Sequence, residues 1–360
     1  MPKKVLIIGH PLAAKENRLA YKSNSEIQYF FCVPSTWVSR GMKNKYVSLD
    51  KSETHLSTLK TFFSGFNSFY IWKNLTPLIT QLKPDFIYCW GEAWCLSTFQ
   101  IAQIATKLSI PFSFYSAENR PKRLLFPFTK IQAYVYQKAT HAIAITLEVK
   151  KRLQSSGFKK PCFIIPLSIP YFAPLTPNPQ NKEIAYVGRL IPLKRVDLLI
   201  DFLKQRPDYS LKIIGDGPTR KQLQEQTKHE QLQQRVHFVG TIDNNQLPLQ
   251  LQTASVVVIP TSENNYQAEQ FGKAALEAVM LGLPVITSHT GNYIDLEKEI
   301  TTLYTVNLKI KNNLAKAIQN LENHYPNSLE LSQSRDHVFL NYSHDHLCHK
   351  WNEHFLNNEK

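Results

Sequence analysis

Two glutamates eight residues apart form the most informative polar pair in this sequence of 360 residues. Glu269 comes just before a predicted helix over 272–281, and Glu277 lies within that helix, about two turns further along. The start of a helix offers free backbone N–H groups and a positive dipole end, which suit a sugar hydroxyl or a phosphate. Two carboxylates at this spacing could hold distant parts of an elongated ligand. Spacing alone leaves open the alternative that both are solvated helix residues.

Two cations form a second candidate group. Arg189 follows a strand predicted over 184–187, and Lys194 stands at the start of the next predicted helix. Cations at the top of a parallel sheet can neutralise a diphosphate without a metal. The sequence contains no Asp-x-Asp pair of the kind that holds a divalent ion against phosphates. Each cation taken by itself also fits an ordinary surface position.

These side chains need a scaffold, and the hydrophobic pattern predicts alternating strands and helices in both halves of the chain. In the first half, strands are predicted at 5–8, 28–33, 85–90, 111–115 and 141–146, with helices at 96–108 and 129–139. In the second half, strands are predicted at 184–187, 211–214, 236–239, 256–259 and 284–287, with helices at 195–204, 219–230 and 272–281. The pattern therefore predicts a doubly wound α/β sheet in each half, with a site at the carboxyl ends of its strands.

A proline-rich stretch separates the two halves, with five prolines between positions 166 and 179. Prolines at this density favour an extended linker. The predicted divisions are an N-terminal domain at 1–168, a linker at 169–182, a C-terminal domain at 183–332 and a helical segment at 333–360. That last segment could pack back on either domain.

The positive charge is concentrated in the first half. The whole chain carries a formal net charge of +14, of which residues 1–180 contribute +15 and residues 181–360 contribute −1. Such asymmetry indicates a polyanionic partner for the N-terminal half. Basic and aromatic residues interleave there, which fits contact with anionic lipid or a phosphorylated acceptor, and an ordinary solvated face remains the alternative. No nucleic-acid-binding motif is present. The interleaved residues are Arg120, Lys122, Arg123, Leu124, Leu125, Phe126, Phe128, Lys130, Tyr134, Tyr136 and Lys138.

Composition excludes several classes of protein. A hydrophobic content of 43% is enough for a core, so the chain is not intrinsically disordered. No apolar run approaches the roughly 18 residues of a membrane-spanning helix, and the apolar run near the start is too short for a signal peptide. The five cysteines include no CxxC pair, which predicts a reduced, cytoplasmic compartment.

The motifs of the second half resemble, in their order, those of the family 4 retaining glycosyltransferases, within glycosyltransferase group 1. The matching segments are Gly188-Arg189-Leu190 to Lys194, Gly215-Asp216-Gly217-Pro218, Val236 to Gly240, Glu269-Gln270-Phe271-Gly272 to Glu277-Ala278, and Gly282 to Ile286. This resemblance implies a GT-B fold: two Rossmann-like doubly wound domains facing across a cleft, with a C-terminal helix that crosses back to the N-terminal domain.

The resemblance also implies roles for individual residues of the second half. Arg189 and Lys194 would stabilise the departing diphosphate, and Glu269 with the amides of Phe271 and Gly272 would hold the donor sugar. Glu277 would bind the ribose hydroxyls. Gly188 and Gly215 would complete the donor site.

The N-terminal half resembles the family more weakly. Many relatives have a Gly-Gly pair in the first loop, where this chain has Gly9-His10. The resemblance implies that Gly9 and His10 bind the donor. Glu92, Glu118 and Asn119 follow strands at positions where related enzymes place residues that face the acceptor or the sugar.

The sequence thus predicts a metal-independent, retaining enzyme that moves a sugar from a nucleotide-diphosphate sugar to a saccharide or lipid-linked glycan. No cofactor and no nucleic-acid partner are expected. The predicted setting is polysaccharide or lipopolysaccharide biosynthesis at the inner face of the membrane. A nucleotide-sugar 2-epimerase and a non-catalytic nucleotide- or glycan-binding subunit remain the alternatives. The run from His344 to His349 matches no standard metal-ligand spacing, and a solvated helix face is expected there.

Overall fold

The computed structural model describes residues 1–37, 45–46, 55–310 and 312–357. The chain divides into two compact units, an N-terminal unit of Met1–Ser168 with His344–Lys360, and a C-terminal unit of Ile169–Ser343. The proline-rich segment that was predicted as a linker is counted with the C-terminal unit. The segment at 333–360, predicted as one piece, is divided between the two units.

The N-terminal unit is built on a parallel sheet. Its strands are β1 (Lys3–Ile8), β2 (Ile27–Pro34), β3 (Thr36–Trp37), β4 (Lys45–Tyr46), β5 (Leu56–Leu59), β6 (Thr61–Phe62), β7 (Ile71–Trp72), β8 (Phe86–Cys89), β9 (Phe112–Ser116), β10 (His141–Ala144) and β11 (Cys162–Ile164). The sheet order is β11-β10-β9-β8-β1-β2-β5, while β3–β4 and β6–β7 form antiparallel pairs. The last four residues of β1 and all of β8 are buried and almost entirely apolar, as is typical of central strands in a parallel sheet that is covered on both faces.

Four helices connect these strands: α1 (Leu75–Leu82), α2 (Leu96–Lys107), α3 (Phe128–Lys138) and α4 (Leu147–Ser155). Helix α4 begins where the Thr146 side chain accepts a hydrogen bond from the backbone N–H of Val149. Within the described part of the chain, no helix combines the length and apolar character needed to cross a bilayer.

The C-terminal unit repeats this plan. Its strands are β12 (Glu183–Val187), β13 (Ser210–Ile214), β14 (Val236–Gly240), β15 (Val256–Ile259), β16 (Val285–Ser288) and β17 (Leu303–Val306). Its helices are α5 (Asp197–Gln205), α6 (Arg220–His229), α7 (Leu247–Leu251), α8 (Lys273–Met280), α9 (Tyr293–Glu299), α10 (Asn313–Asn323) and α11 (Ser328–Tyr342).

The parallel strands of the C-terminal sheet follow the order β14-β13-β12-β15-β16-β17. The order reverses between β12 and β15, and ligands of doubly wound folds bind beyond the carboxyl ends of the strands at such a point. The loops that carry Arg189 and Lys194 after β12, and Glu269 after β15, are therefore neighbours. The two Rossmann-like sheets confirm the predicted fold class.

The last helix, α12 (His344–Asn357), belongs to the N-terminal unit, as predicted. Trp351 and Phe355 are buried in the core of that unit, and the Trp351 ring lies against Tyr21 and Tyr88 at centroid distances of 4.9 and 5.2 Å. The hydroxyl of Tyr29 donates a hydrogen bond of 2.7 Å to Asn352 Oδ1. The helix completes the apolar cover on one face of the sheet.

A pair of buried histidines also joins α12 to the sheet. His354 Nε2 lies 2.9 Å from His141 Nε2, so one ring donates and the other accepts. Burial lowers the pKa of His354 to about 4, with a smaller effect of Lys3. Burial, His354 and Lys3 lower the pKa of His141 to about 3. Both rings are therefore neutral in the folded protein near pH 7.

This pair predicts loss of stability in mild acid. Because both folded-state pKa values lie below the unfolded value near 6.5, the unfolded chain binds more protons, and stability falls as the pH drops from about 6.5 toward 4. Melting temperatures measured between pH 7.5 and 4.5 should show this loss. His354→Phe, which removes one proton-binding ring, should flatten the profile, whereas the exposed His349→Phe should not. Equal pH dependence in wild type and His354→Phe would contradict this role for the pair.

Candidate functional site

The site in the C-terminal unit is built around an ion pair between Lys194 and Glu269. Lys194 Nζ lies 2.6 Å from Glu269 Oε2 and donates a second hydrogen bond of 3.2 Å to Thr261 Oγ1. An ammonium group has three N–H donors, so one remains for a ligand oxygen. Lys194 does not begin a long helix as predicted: it ends a 3-10 turn at Pro192–Lys194, and α5 begins three residues later at Asp197.

The carboxylate of Glu269 is held in its charged form. Burial would raise its pKa, but Lys194 and the backbone N–H groups of Gly272 and Phe271 outweigh burial and hold the pKa below its usual value. The N–H of Gly272 donates to Glu269 Oε1 at 3.1 Å. Glu269 thus links the start of α8 to the cation that follows β12.

The loop after β16 supports this arrangement, a contribution that the sequence motifs did not identify. Asn292 donates from its backbone N–H to the Glu269 carbonyl at 3.0 Å and from its side chain to the Phe271 carbonyl at 2.7 Å. Gly291 has a φ of 52°, and a Cβ there would overlap the backbone of Glu269. The Gly-Asn pair after a predicted strand was the available signal in the sequence.

Glu277 lies inside α8, as predicted, and its side chain is buried. Asn244 donates a hydrogen bond of 3.1 Å to Glu277 Oε1, and Lys273 Nζ lies 3.7 Å from the same oxygen. Burial raises the pKa of Glu277 despite these two groups. Its carboxylate retains acceptor positions suited to neutral hydroxyl donors.

The turns after β12 and β13 approach each other very closely. Gly215 has a φ of 136°, and a Cβ there would overlap the carbonyl of Gly188, so glycine is required at that position. Beside this contact, the Tyr186 hydroxyl donates a hydrogen bond of 2.9 Å to the Arg189 carbonyl. The side chain of Arg189 is exposed. The backbone of Arg189 is thus fixed while its guanidinium reaches solvent.

In the N-terminal unit, Gly9 and His10 follow β1. A Cβ on Gly9 would lie 2.8 Å from the Cβ and the carbonyl oxygen of Trp90, so the loops after β1 and β8 pack closely. The His10 ring stacks on Trp37 at a centroid distance of 4.3 Å and meets Tyr70 edge-on at 5.5 Å. Burial lowers the pKa of His10 to about 4. The ring is neutral and available for hydrogen bonding at pH 7.

The carboxylate of Glu92 organises the loop after β9. Glu92 Oε1 accepts from the backbone N–H groups of Ala117 and Glu118 at 2.7 and 3.0 Å, and Oε2 accepts from the Ser116 hydroxyl at 2.9 Å. Burial raises the pKa of Glu92 in spite of these donors. Glu92 therefore positions the segment that carries two other predicted residues.

Those two residues, Glu118 and Asn119, are both buried. Glu118 forms an ion pair with Lys122, and the side-chain amide of Asn119 donates to Glu148 Oε2 at 2.9 Å. Among the described residues, no group of three His, Cys, Asp or Glu side chains is arranged to hold a metal ion. The prediction of a solvated helix face at His344–His349 is wrong for His344 and Cys348, which lie one turn apart at the start of α12 and are buried.

Residues 170–335 match the sequence family described as "Glycosyl transferases group 1". This segment is similar to glycosyltransferase group 1 domains. It lies within the C-terminal unit and carries the Lys194–Glu269 pair. Over 124 residues the chain is 33% identical to a glycogen synthase of Mycobacterium tuberculosis, and over 151 residues 27% identical to the O-antigen biosynthesis glycosyltransferase WbnH of Escherichia coli.

These matches span only part of each curated relative. They cover 33% and 41% of this chain, but only 29% of the glycogen synthase and 40% of WbnH. Similarity to solved structures, in contrast, extends beyond the group 1 domain to the whole fold. HepE of Anabaena in complex with UDP aligns with a TM-score of 0.75 and 16% identity, over 98% of this chain and 99% of that one. A glycosyltransferase of Rickettsia africae aligns with a TM-score of 0.76 and 16% identity, over 99% and 100%. The architecture is that of the GT-B fold.

Proposed function

We propose that the chain is a retaining glycosyltransferase that transfers a sugar from a nucleotide-diphosphate sugar to a saccharide or lipid-linked glycan. The observation that carries the proposal is the cluster of Lys194, Glu269 and the start of α8 at the switch point of a group 1 domain. The cluster offers a cation for a leaving group beside a carboxylate and backbone amides for a polar sugar.

The proposed donor contacts follow from the chemistry of these groups. The third N–H of Lys194 and the exposed guanidinium of Arg189 would bind diphosphate oxygens. Glu269 would accept from hydroxyls of the sugar, while Glu277 would accept from the ribose. HepE in complex with UDP supports a uridine nucleotide as the first donor to test.

In the proposed reaction, the bond between the anomeric carbon and the diphosphate oxygen breaks as negative charge develops on that oxygen. Lys194 and Arg189 stabilise this charge, an electrostatic contribution to catalysis. The acceptor hydroxyl attacks on the face that the diphosphate leaves, and its proton passes to a diphosphate oxygen. The configuration at the anomeric carbon is thereby retained, with no protein nucleophile and no metal.

For the acceptor, we propose a site on the N-terminal unit with Glu118 and Asn119 near it and Glu92 as a positioning residue, while Gly9 and His10 are proposed to contact the donor. The concentration of basic residues in this half supports an anionic setting for the acceptor, at the inner face of a membrane.

A donor screen tests the proposal. Thermal unfolding is measured with UDP-, GDP- and ADP-sugars in the presence of EDTA, and we expect one nucleotide class to raise the melting temperature. A ligand at 100 times its Kd stabilises by about 2.7 kcal/mol. NMR of the first-formed product should show the anomeric configuration of the donor.

An inverted product would exclude the retaining mechanism. If the donor were converted to an epimerised sugar without any acceptor, the protein would be a 2-epimerase instead. Donor binding without any turnover would indicate a binding subunit.

A further inference from the structure

An exposed aromatic surface in the N-terminal unit has no role in the proposed reaction. It comprises the β6–β7 hairpin at 61–72 and the segment at 124–128, and we name these residues the aromatic surface. The Phe69 and Phe128 rings, 5.4 Å apart edge to face, join the two segments. Its large exposed apolar side chains are Phe62, Phe63, Phe66, Phe69, Leu125 and Phe126.

The hairpin is firmly attached to the unit beneath it. The side chain of Gln100 in α2 bonds both backbone groups of Trp72, accepting from its N–H at 2.8 Å and donating to its carbonyl at 2.9 Å. Trp72 and Tyr70 are buried and their rings meet at 5.5 Å. The exposed phenylalanines therefore project from a fixed support.

The backbone at Phe63 adopts a conformation that its side chain disfavours. Its φ is 56°, in the left-handed region where glycine or asparagine is the usual residue. A bulky residue there carries strain, and such strain concentrates at functional positions. The Phe63 side chain is 64% exposed, so core packing does not explain an aromatic residue at this position.

The charged residues within the two segments of the aromatic surface and at their flanks are all basic, and two of them, Arg120 and Lys122, form ion pairs with Glu148 and Glu118 outside those segments. Residues 60–73 and 120–130 contain six basic and no acidic residues. The basic residues are Lys60, Lys73, Arg120, Lys122, Arg123 and Lys130. Lys73 Nζ lies 3.9 Å from the centroid of the Phe62 ring, which places one of these cations directly beside the exposed aromatics.

We propose that the aromatic surface docks on an anionic lipid bilayer, with the phenyl rings entering the boundary between headgroups and acyl chains and the basic residues bound to lipid phosphates. A rim of cations around exposed aromatic rings fits that boundary, where both interactions form together. A nucleic acid would engage the cations but would leave the exposed aliphatic side chain of Leu125 without an apolar partner, whereas a bilayer would cover it. Docking at this surface would bring the protein to a lipid-linked acceptor, and only that benefit rests on the proposed function.

Vesicle co-sedimentation of the full chain tests the proposal. Wild type is compared with Phe63→Ser/Phe126→Ser on vesicles of phosphatidylcholine alone and of equal parts phosphatidylcholine and phosphatidylglycerol. We expect wild type to prefer the anionic vesicles and to lose binding as salt is raised. The double variant should bind the anionic vesicles on the order of tenfold more weakly, because two large apolar side chains no longer leave water.

Leu249→Ser/Leu329→Ser is the matched control, because these leucines of the C-terminal unit are 61% and 65% exposed and lie outside the aromatic surface. It should bind vesicles as wild type does. Equal binding to both vesicle types, or equal binding by wild type and the phenylalanine variant, would overturn the proposal. So would a phenylalanine variant that changes the oligomeric state without lipid, since the surface would then be a protein interface. The proposed function is tested separately by the donor-induced thermal shift of the same variants. Vesicle binding requires no nucleotide sugar, so failure of one measurement does not imply failure of the other.

Discussion

Lys194→Ala should lower kcat for sugar transfer by about 10²–10³-fold, the range found when a group that stabilises developing negative charge is removed. In the structure, Lys194 Nζ donates hydrogen bonds to Glu269 and Thr261, and its third N–H is the one proposed to bind the diphosphate. Its loss removes the cation beside the leaving group and releases the carboxylate that holds the start of α8. Steady-state kinetics with the donor found in the screen would measure the effect.

The C-terminal unit contains a closely matched control for this variant. Lys212 forms an ion pair of 2.8 Å with Glu183 and donates a 2.8 Å hydrogen bond to Thr253. The side chains of Lys212 and Glu183 are 17% and 15% exposed, close to the 18% and 14% of Lys194 and Glu269. This second pair joins β13 to the amino end of β12. Lys212→Ala should therefore cost similar stability and leave kcat near wild type. Equal losses of kcat in both variants would mean that Lys194 acts through stability alone.

Trp351→Ala should destabilise the N-terminal unit by about 3–5 kcal/mol, the usual cost of removing a large buried aromatic side chain. The ring is almost fully buried and contacts Tyr21, Tyr88 and Phe355. For a unit of this size, the melting temperature should fall by roughly ten degrees or more. Differential scanning calorimetry would measure the change.

Lys350→Ala, next in sequence but exposed, should leave the transition unchanged. The donor-induced thermal shift distinguishes a local effect from general unfolding, since the proposed donor residues belong to the C-terminal unit and α12 belongs to the N-terminal unit. If Trp351→Ala unfolded at the wild-type temperature, α12 would be dispensable to the core.

The sheets could be predicted because their central strands are continuous apolar runs. The apolar runs Val5–Ile8 and Val256–Ile259 each predict a buried parallel strand, and both lie in buried parallel strands of the structure. The elements that were missed have weaker patterns. Strand β17 at Leu303–Val306 lies at the edge of its sheet, and β5 at Leu56–Leu59 is only half-buried, so neither needs a strong apolar signal.

The site was predictable to a different degree in each unit. Around Glu269, short motifs carry the relevant residues, since the N–H groups it binds lie within three positions. The support from Gly291 and Asn292 depends on the return of the chain after β16, which no local pattern encodes. The contacts of Glu92 could not be predicted from local sequence. Its carboxylate accepts hydrogen bonds from backbone N–H groups of a loop about 25 residues later, and no motif near Glu92 indicates that contact.

The placement of α12 has a consequence for synthesis of the protein. Residues 1–168 leave the ribosome before the C-terminal unit, yet Leu347, Trp351 and Phe355 of their core are made only after that unit. At about 5–20 residues per second, the N-terminal sheet waits roughly ten to forty seconds with one apolar face uncovered. During that interval the nascent chain presents a hydrophobic surface that chaperones can bind, and the core of the first half is completed only after the C-terminal unit has been synthesised.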